Sequence, residues 1–420
     1  MDEEFPVWKK GIRYAARSDI GLRRANNQDS YAVKIAGTAR QWLDRGHLFV
    51  VADGMGAHVA GEVASRLAVE TVVQSYLKRT SEAPAQAIVQ AVYDAHRLIK
   101  EKSHREDAYR DMGTTCDAFV MTSDGLVIAH VGDSRVYRIR RQVIEQLTFD
   151  HSLVWEVCVA TNLPFNQAPS YIPKNQITRS LGPTEKLVVD KEGPFPIEIG
   201  DTFLACSDGL SGPVRDREIG ELVTVFPPEI AAETLVNLAN LRGGSDNCTV
   251  VIAQAVPSPE NETAVENELK VPLKSWIVLG AALLIAVIAL FVLFNKSYLF
   301  AGILAAGAFA AFCCFFISAK KNLFRSFTFS NVPPSGKSPY TSQTCPPSFE
   351  FAAALAKIYR ELLLAAKEQK RQIQVNEAER YEREAIRGAK LSDTAKAVSN
   401  YAMAINVLMR ELKKPKATPH

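Results

Sequence analysis

The chain has 420 residues, 47% of them hydrophobic and 23% charged, a balance that suits folded domains and excludes a low-complexity or disordered protein. Its net charge of +3 is unevenly spread: from residue 319 onward 18 Lys and Arg stand against 9 Asp and Glu, so the preceding part is net acidic and lacks the basic face of a nucleic-acid binder. Seven cysteines without metal-knuckle spacing argue for reduced thiols in a cytosolic compartment.

Residues 1–256 read as one domain. Short β-rich runs at 11–16, 48–52, 115–121, 126–131, 135–139, 202–205 and 248–253 are separated by turn signals such as Ser123-Asp124-Gly125. Helical patterns occupy 61–77, 84–102, 216–224 and 229–241. Strands and helices are grouped without strict βαβ alternation, which predicts an α+β fold.

Residues 257–275 form a Pro- and Glu-containing linker, and two uncharged apolar runs follow at 276–294 and 298–318. A helix of about 20 residues spans a hydrocarbon core of about 30 Å, so the two runs predict a transmembrane hairpin. Lys270 and Lys274 precede the first run, whereas Lys320, Lys321 and Arg325 follow the second. The positive-inside bias then places both ends in the cytoplasm, as expected of a multi-pass inner-membrane protein.

A linker at 319–347 leads into an α-helical tail at 348–415, with Ser348 as the expected N-cap. Phe351, Leu355, Ile358, Tyr359, Leu362 and Leu363 share one helical face, and Val398, Tyr401, Ile405, Leu408 and Leu412 recur at 3-4-3-4 spacing. Such a seam predicts intramolecular packing ahead of an oligomerisation zipper. The tail is expected to act as an interaction module for a protein partner, with contact to anionic lipid as the alternative.

The chemistry is carried by acids. Asp29, Asp53, Asp133, Asp208 and Asp246 each lie at a strand edge beside glycine or serine. One such residue is ordinary turn chemistry. Several converging loops of this kind suggest a site for hard cations, which prefer carboxylate, carbonyl and water oxygens.

The ordered blocks around these acids make the pattern specific. They are R-x-x-N-x-D (residues 24–29), D-G-M-G-x-H-x-x-G-E-x-A-S (53–65), M-G-T-T (112–115), H-V-G-D-S-R (130–135), L-T-x-D-H-S (147–152), R-S-L-G (179–182), S-D-G-L (207–210) and G-x-D-N-x-T (244–249). Over about residues 11–256 the chain resembles the metal-dependent type 2C serine/threonine protein phosphatases, particularly bacterial members. The resemblance implies two antiparallel β-sheets packed as a sandwich and flanked by helices. It also implies two Mn²⁺ or Mg²⁺ ions, with a third at Asp133. Asp53 would bridge the pair, the Gly54 carbonyl would ligate one ion, and Asp208 and Asp246 would complete the other. Arg24 would bind the substrate phosphate. The substrates implied are phosphorylated proteins made by a serine/threonine kinase. Two cations can activate a shared water and clamp the charge of an in-line displacement at phosphorus.

Departures from the family pattern matter. Gln28 stands where many relatives carry Glu, with neighbouring Asp29 as a compensating carboxylate, and Ala57 replaces the glycine usual before His58. His58 is a candidate general acid, although a structural hydrogen bond to the turn is the other reading. The missing carboxylate also leaves open a catalytically silent scaffold that binds phosphoproteins at the membrane.

Overall fold

In the computed structural model, which describes residues 11–56, 60–163, 168, 171–173, 176–257, 336–368 and 375–413, the chain opens with β1 (Ile12–Asp19) and β2 (Asp29–Lys34). Next come α1 (Ala39–Arg45), β3 (His47–Met55), α2 (Ala60–Lys78) and α3 (Pro84–Arg105). A run of strands follows: β4 (Gly113–Thr114), β5 (Cys116–Thr122), β6 (Gly125–Val131), β7 (Arg135–Arg140) and β8 (Val143–Gln146). After α4 (Leu153–Thr161) come β9 (Asp190–Phe195), β10 (Thr202–Cys206), α5 (Asp208–Ser211), α6 (Asp216–Val225), α7 (Pro228–Leu241) and β11 (Cys248–Ala255). Beyond the undescribed stretch lie β12 (Thr341–Thr344), α8 (Phe349–Glu368), α9 (Asn376–Lys390) and α10 (Thr394–Lys413).

The strands make two six-stranded antiparallel sheets, one ordered β1-β11-β10-β7-β8-β12 and the other β2-β3-β5-β6-β9 with β4 on β3. The unbroken apolar run at the centre of β3 is explained by burial on both faces. Leu48, Val50 and Ala52 pack towards α2 and α3, whereas Phe49 and Val51 face the other sheet. Helix α3 begins with proline at its first turn and buries Ala87, Ile88, Ala91, Val92, Ala95 and Ile99 along one side. This is the expected α+β sandwich with helical outer layers.

The tail differs from expectation. The described residues after 336 belong to the same compact unit as the front of the chain. Part of the expected linker is β12, which pairs antiparallel with β8, and α8 to α10 cover α6 and α7. Ser348 does cap α8, accepting from the Phe351 N–H at 3.2 Å while its own N–H donates to Glu221 at 2.9 Å. Phe351, Leu355, Tyr359, Val398, Ile405 and Leu408 are buried in this interface. Each such side chain contributes about 1.5–3 kcal/mol. The apolar seam of α10 thus packs within the chain, as its spacing predicts, because the outer face of α6 and α7 is itself apolar.

The apolar runs at 276–294 and 298–318 lie outside the described residues. Among the described residues no helix is long and apolar enough to cross a membrane.

Candidate active site

Strand ends build the site. Asp53 lies near the end of β3, and alternation along that strand puts it on the inter-sheet side with Phe49 and Val51. Asp29, the first residue of β2, is its direct cross-strand partner. From the other sheet, Asp208 follows β10 and Asp133 lies between β6 and β7, while Asp246 sits just before β11. Antiparallel pairing brings these ends together, since Cys206 pairs with both Arg135 and Val250.

Glycines permit the close approach. A Cβ on Gly54 would lie 2.1 Å from the Gly61 carbonyl oxygen, so the Asp-Gly turn can meet the start of α2 only without a side chain. The second Asp-Gly pair has the same cause, because a Cβ on Gly209 would lie 1.8 Å from the Asn247 carbonyl oxygen.

The carboxylates crowd one another. Burial, reinforced by Asp29, Asp208, Asp133 and Asp246, drives the Asp53 carboxyl well above the ordinary range. Burial together with Asp208 and Asp246 pushes Asp29 up to about 7. Burial and Asp208 likewise push Asp133 up to about 7, and Asp208 is raised by burial and Asp246. Among the described residues, the Asp29 Oδ1, Asp133 Oδ1 and Asp208 Oδ1 atoms are buried without a hydrogen-bond partner.

Buried acceptors of like charge need positive charge, and an all-oxygen donor set fits a hard divalent cation. Among the described residues no three Asp, Glu, His or Cys side chains converge closely enough to hold a metal ion by themselves. Magnesium-like ions need no such trio, because they retain waters and take one or two carboxylates each.

Arg24, on the β1–β2 loop, donates to Asp246 Oδ2 at 2.6 Å and keeps about half of its side chain exposed, 49%. Gln28 accepts the Gly54 N–H at its carbonyl at 3.1 Å, while its side-chain amide lies against Gly61. His58 lies outside the described residues.

Several supporting residues went unrecognised in the sequence. Thr114 Oγ1 donates to the Asp53 carbonyl at 2.8 Å, and the Asp53 N–H donates to Thr115 Oγ1 at 2.9 Å. Ser207 Oγ donates to Asp29 Oδ2 at 2.7 Å, and Asn247 Oδ1 accepts the Gln28 N–H at 2.8 Å. His151 Nδ1 accepts the Gly132 N–H at 3.0 Å and its Nε2 meets Asp190, so the residue before Asp133 is held by the D-H-S block. Thr114, Ser207, Asn247 and His151 each lie inside a quoted motif beside an acid or a glycine, which was the available signal, and Thr115 lies inside one as well.

A family profile described as Protein phosphatase 2C matches residues 23–234, half of the chain. The chain belongs to the protein phosphatase 2C family. It is thus a protein serine/threonine phosphatase, a phosphoric monoester hydrolase. Protein phosphatase PhpP of Streptococcus pneumoniae is 36% identical over 243 residues, covering 56% of this chain and 94% of that protein. The crystal structure of the Mycobacterium tuberculosis serine/threonine phosphatase PstP matches with a TM-score of 0.51 at 35% identity, covering 58% of this chain and 99% of that one. A crystal structure of the PstP catalytic domain, with 35% identity and a TM-score of 0.48 over 58% of this chain and 98% of that one, holds two manganese ions.

Proposed function

We propose that this member of the family is a membrane-anchored phosphoserine and phosphothreonine protein phosphatase working with two Mn²⁺ or Mg²⁺ ions. The observation that carries the reading is the set of five acids at one mouth of the sandwich, three of them with unpartnered buried oxygens. Asp53 would bridge the two ions. The Gly54 carbonyl would serve one ion and Asp208 and Asp246 the other, with Asp133 available to a third and Asp29 adding charge. When bound, such ions activate water and neutralise charge developing at phosphorus.

The chain's own residues supply the rest. Arg24 offers a planar, permanently charged fork to phosphate oxygens, and its contact with Asp246 keeps that fork at the rim of the acidic cluster. Thr114 and Thr115 fix the backbone at Asp53 from both sides, so the carboxylate and the following carbonyl keep one orientation. Ser207 holds one Asp29 oxygen in place.

The anchoring rests on the apolar runs at 276–294 and 298–318, whose lengths and flanking cations suit an antiparallel hairpin with both ends in the cytoplasm. Phosphoproteins produced by a serine/threonine kinase are the substrates. The test is phosphate release from phosphoserine and phosphothreonine peptides by the full chain recovered in membranes. Activity should need Mn²⁺ or Mg²⁺, vanish with chelator and return on adding metal. Recovery of the chain entirely in the soluble fraction would remove the anchor, and inert folded protein with added Mn²⁺ would remove the phosphatase.

A further inference from the structure

The loop that carries Arg24 is gripped from outside the acidic cluster. Strand β1 ends at Asp19, which pairs with Cys248 two residues beyond Asp246. Asp19 Oδ1 accepts the Gly21 N–H at 2.9 Å and Asn240 Nδ2 at 3.0 Å. Gly21 has φ of +80°, and a Cβ there would lie 2.3 Å from the Asp246 carbonyl oxygen. The Leu22 N–H then donates to the Gly244 carbonyl at 2.8 Å. Residues 19–22 are thereby held against the loop before β11, and Arg24 stands two residues farther on.

Asn240 lies on α7, and the same face of that helix is bound by the tail. Glu233, Asn237 and Asn240 are spaced i, i+4, i+7, one stripe of an α-helix. Arg410 Nε donates to Glu233 at 2.6 Å. Buried Asn406 accepts from Asn237 Nδ2 at 2.9 Å and donates to Thr234 Oγ1 at 2.7 Å. Lys413, near the end of α10, reaches Asp19 Oδ2 itself at 3.3 Å. A continuous set of contacts thus runs from α10 through α7 and Asp19 to the Arg24 loop.

We propose that Asp19 is a positioning residue for the phosphate-holding loop, and that the C-terminal helix α10 braces it through α7. The segment after residue 336 then tunes how tightly the site holds a phosphoryl group. This rests on the reading of Arg24 as the phosphate ligand. Helix α10 lies beyond residues 23–234, the part of the chain that the family profile matches, so the brace comes from outside that part.

The test uses the full chain with a phosphopeptide substrate and inorganic phosphate as competitive inhibitor. Asp19→Ala should raise the peptide KM and the phosphate Ki together, by between about 2-fold and 30-fold, and change kcat far less. Asp19→Asn keeps an acceptor for Gly21 and should restore most of the loss. The exposed double change Arg410→Ala with Lys413→Ala should shift Ki the same way by a smaller factor, and it decides the matter if Asp19→Ala does not fold. Arg24→Ala is the reference. If Arg24→Ala raises Ki while the Asp19 or tail variants leave KM and Ki at wild type, or lower kcat alone, the brace is wrong. If Arg24→Ala itself leaves Ki unchanged, the phosphate assignment fails and the brace falls with it.

Discussion

Asp29 and Asp53 stand directly opposite one another across the β2–β3 ladder. Like charges in that position oppose strand pairing, and here Asp29 is buried and Asp53 half-buried. The fold tolerates the pair because Ser207 supports one Asp29 oxygen and the threonines at 114 and 115 hold the Asp53 backbone. On the function proposed above, the counter-charge to this pair is a divalent cation.

Chelated protein should show the strain as pH dependence. Asp29 titrates at 3.8 when unfolded and at about 7 when folded, so its ionisation opposes folding increasingly from about pH 4 to about pH 7. Buried His47 and His151, both lowered to about 4, act oppositely and lose their contribution as pH falls below 6.5. The difference in Tm between Asp29→Asn and wild type, measured with chelator, isolates the carboxylate. It should be small near pH 4 and grow in favour of the variant towards pH 7; a flat difference would refute the electrostatic account.

Metal binding should stabilise by mass action. At a free ion concentration 100 times Kd the gain is about 2.7 kcal/mol per site. Scanning calorimetry with increasing Mn²⁺ should raise Tm in the wild type and leave Asp53→Asn nearly unmoved. Equal shifts in both proteins would place the ions elsewhere.

Gly209→Ala tests the close approach of α5 to β11. The added methyl meets the Asn247 carbonyl at 1.8 Å, so a backbone shift is required. The cost should be about 1–3 kcal/mol in urea unfolding. Activity should fall with it, because Asp208 precedes the glycine.

The tail interface is tested by Asn406→Ala. Removing this fully buried amide strands the partners at Thr234 and Asn237. A loss of about 1–3 kcal/mol is expected in urea unfolding of the full chain. No change would mean that α10 does not close on α7 in solution.

Much of the front domain was legible. The centres of β3, β10 and β11 follow from their apolar runs, although β3 continues through Asp53 to Met55 and β11 to Ala255, and the five Asp residues were recognisable because each lies near a strand end beside glycine or serine. Strand β2 was not, since Asp29–Lys34 alternates only weakly and contains two charges. Strands β8 and β9 escaped for the same reason, being short and carrying charge. Helix α1 is too short for its period to register. The role of the tail was hidden by a different cause. Periodicity shows that α10 has an apolar face but not what covers it, and the partners on α6 and α7 lie far away in sequence. The hydroxyls of Thr114 and Ser207 were passed over because a hydroxyl beside an acid is common and gains meaning only when strands place it within bonding distance.

The most direct test of the central claim is the kcat of the full chain on a phosphothreonine peptide, titrated with Mn²⁺, for wild type and for Asp53→Asn. The wild type should be inactive with chelator and saturate with Mn²⁺, while Asp53→Asn should stay at least about 100-fold slower at every Mn²⁺ concentration. Equal turnover by the two proteins, or full wild-type turnover in chelator, would contradict a metal-dependent reaction centred on Asp53.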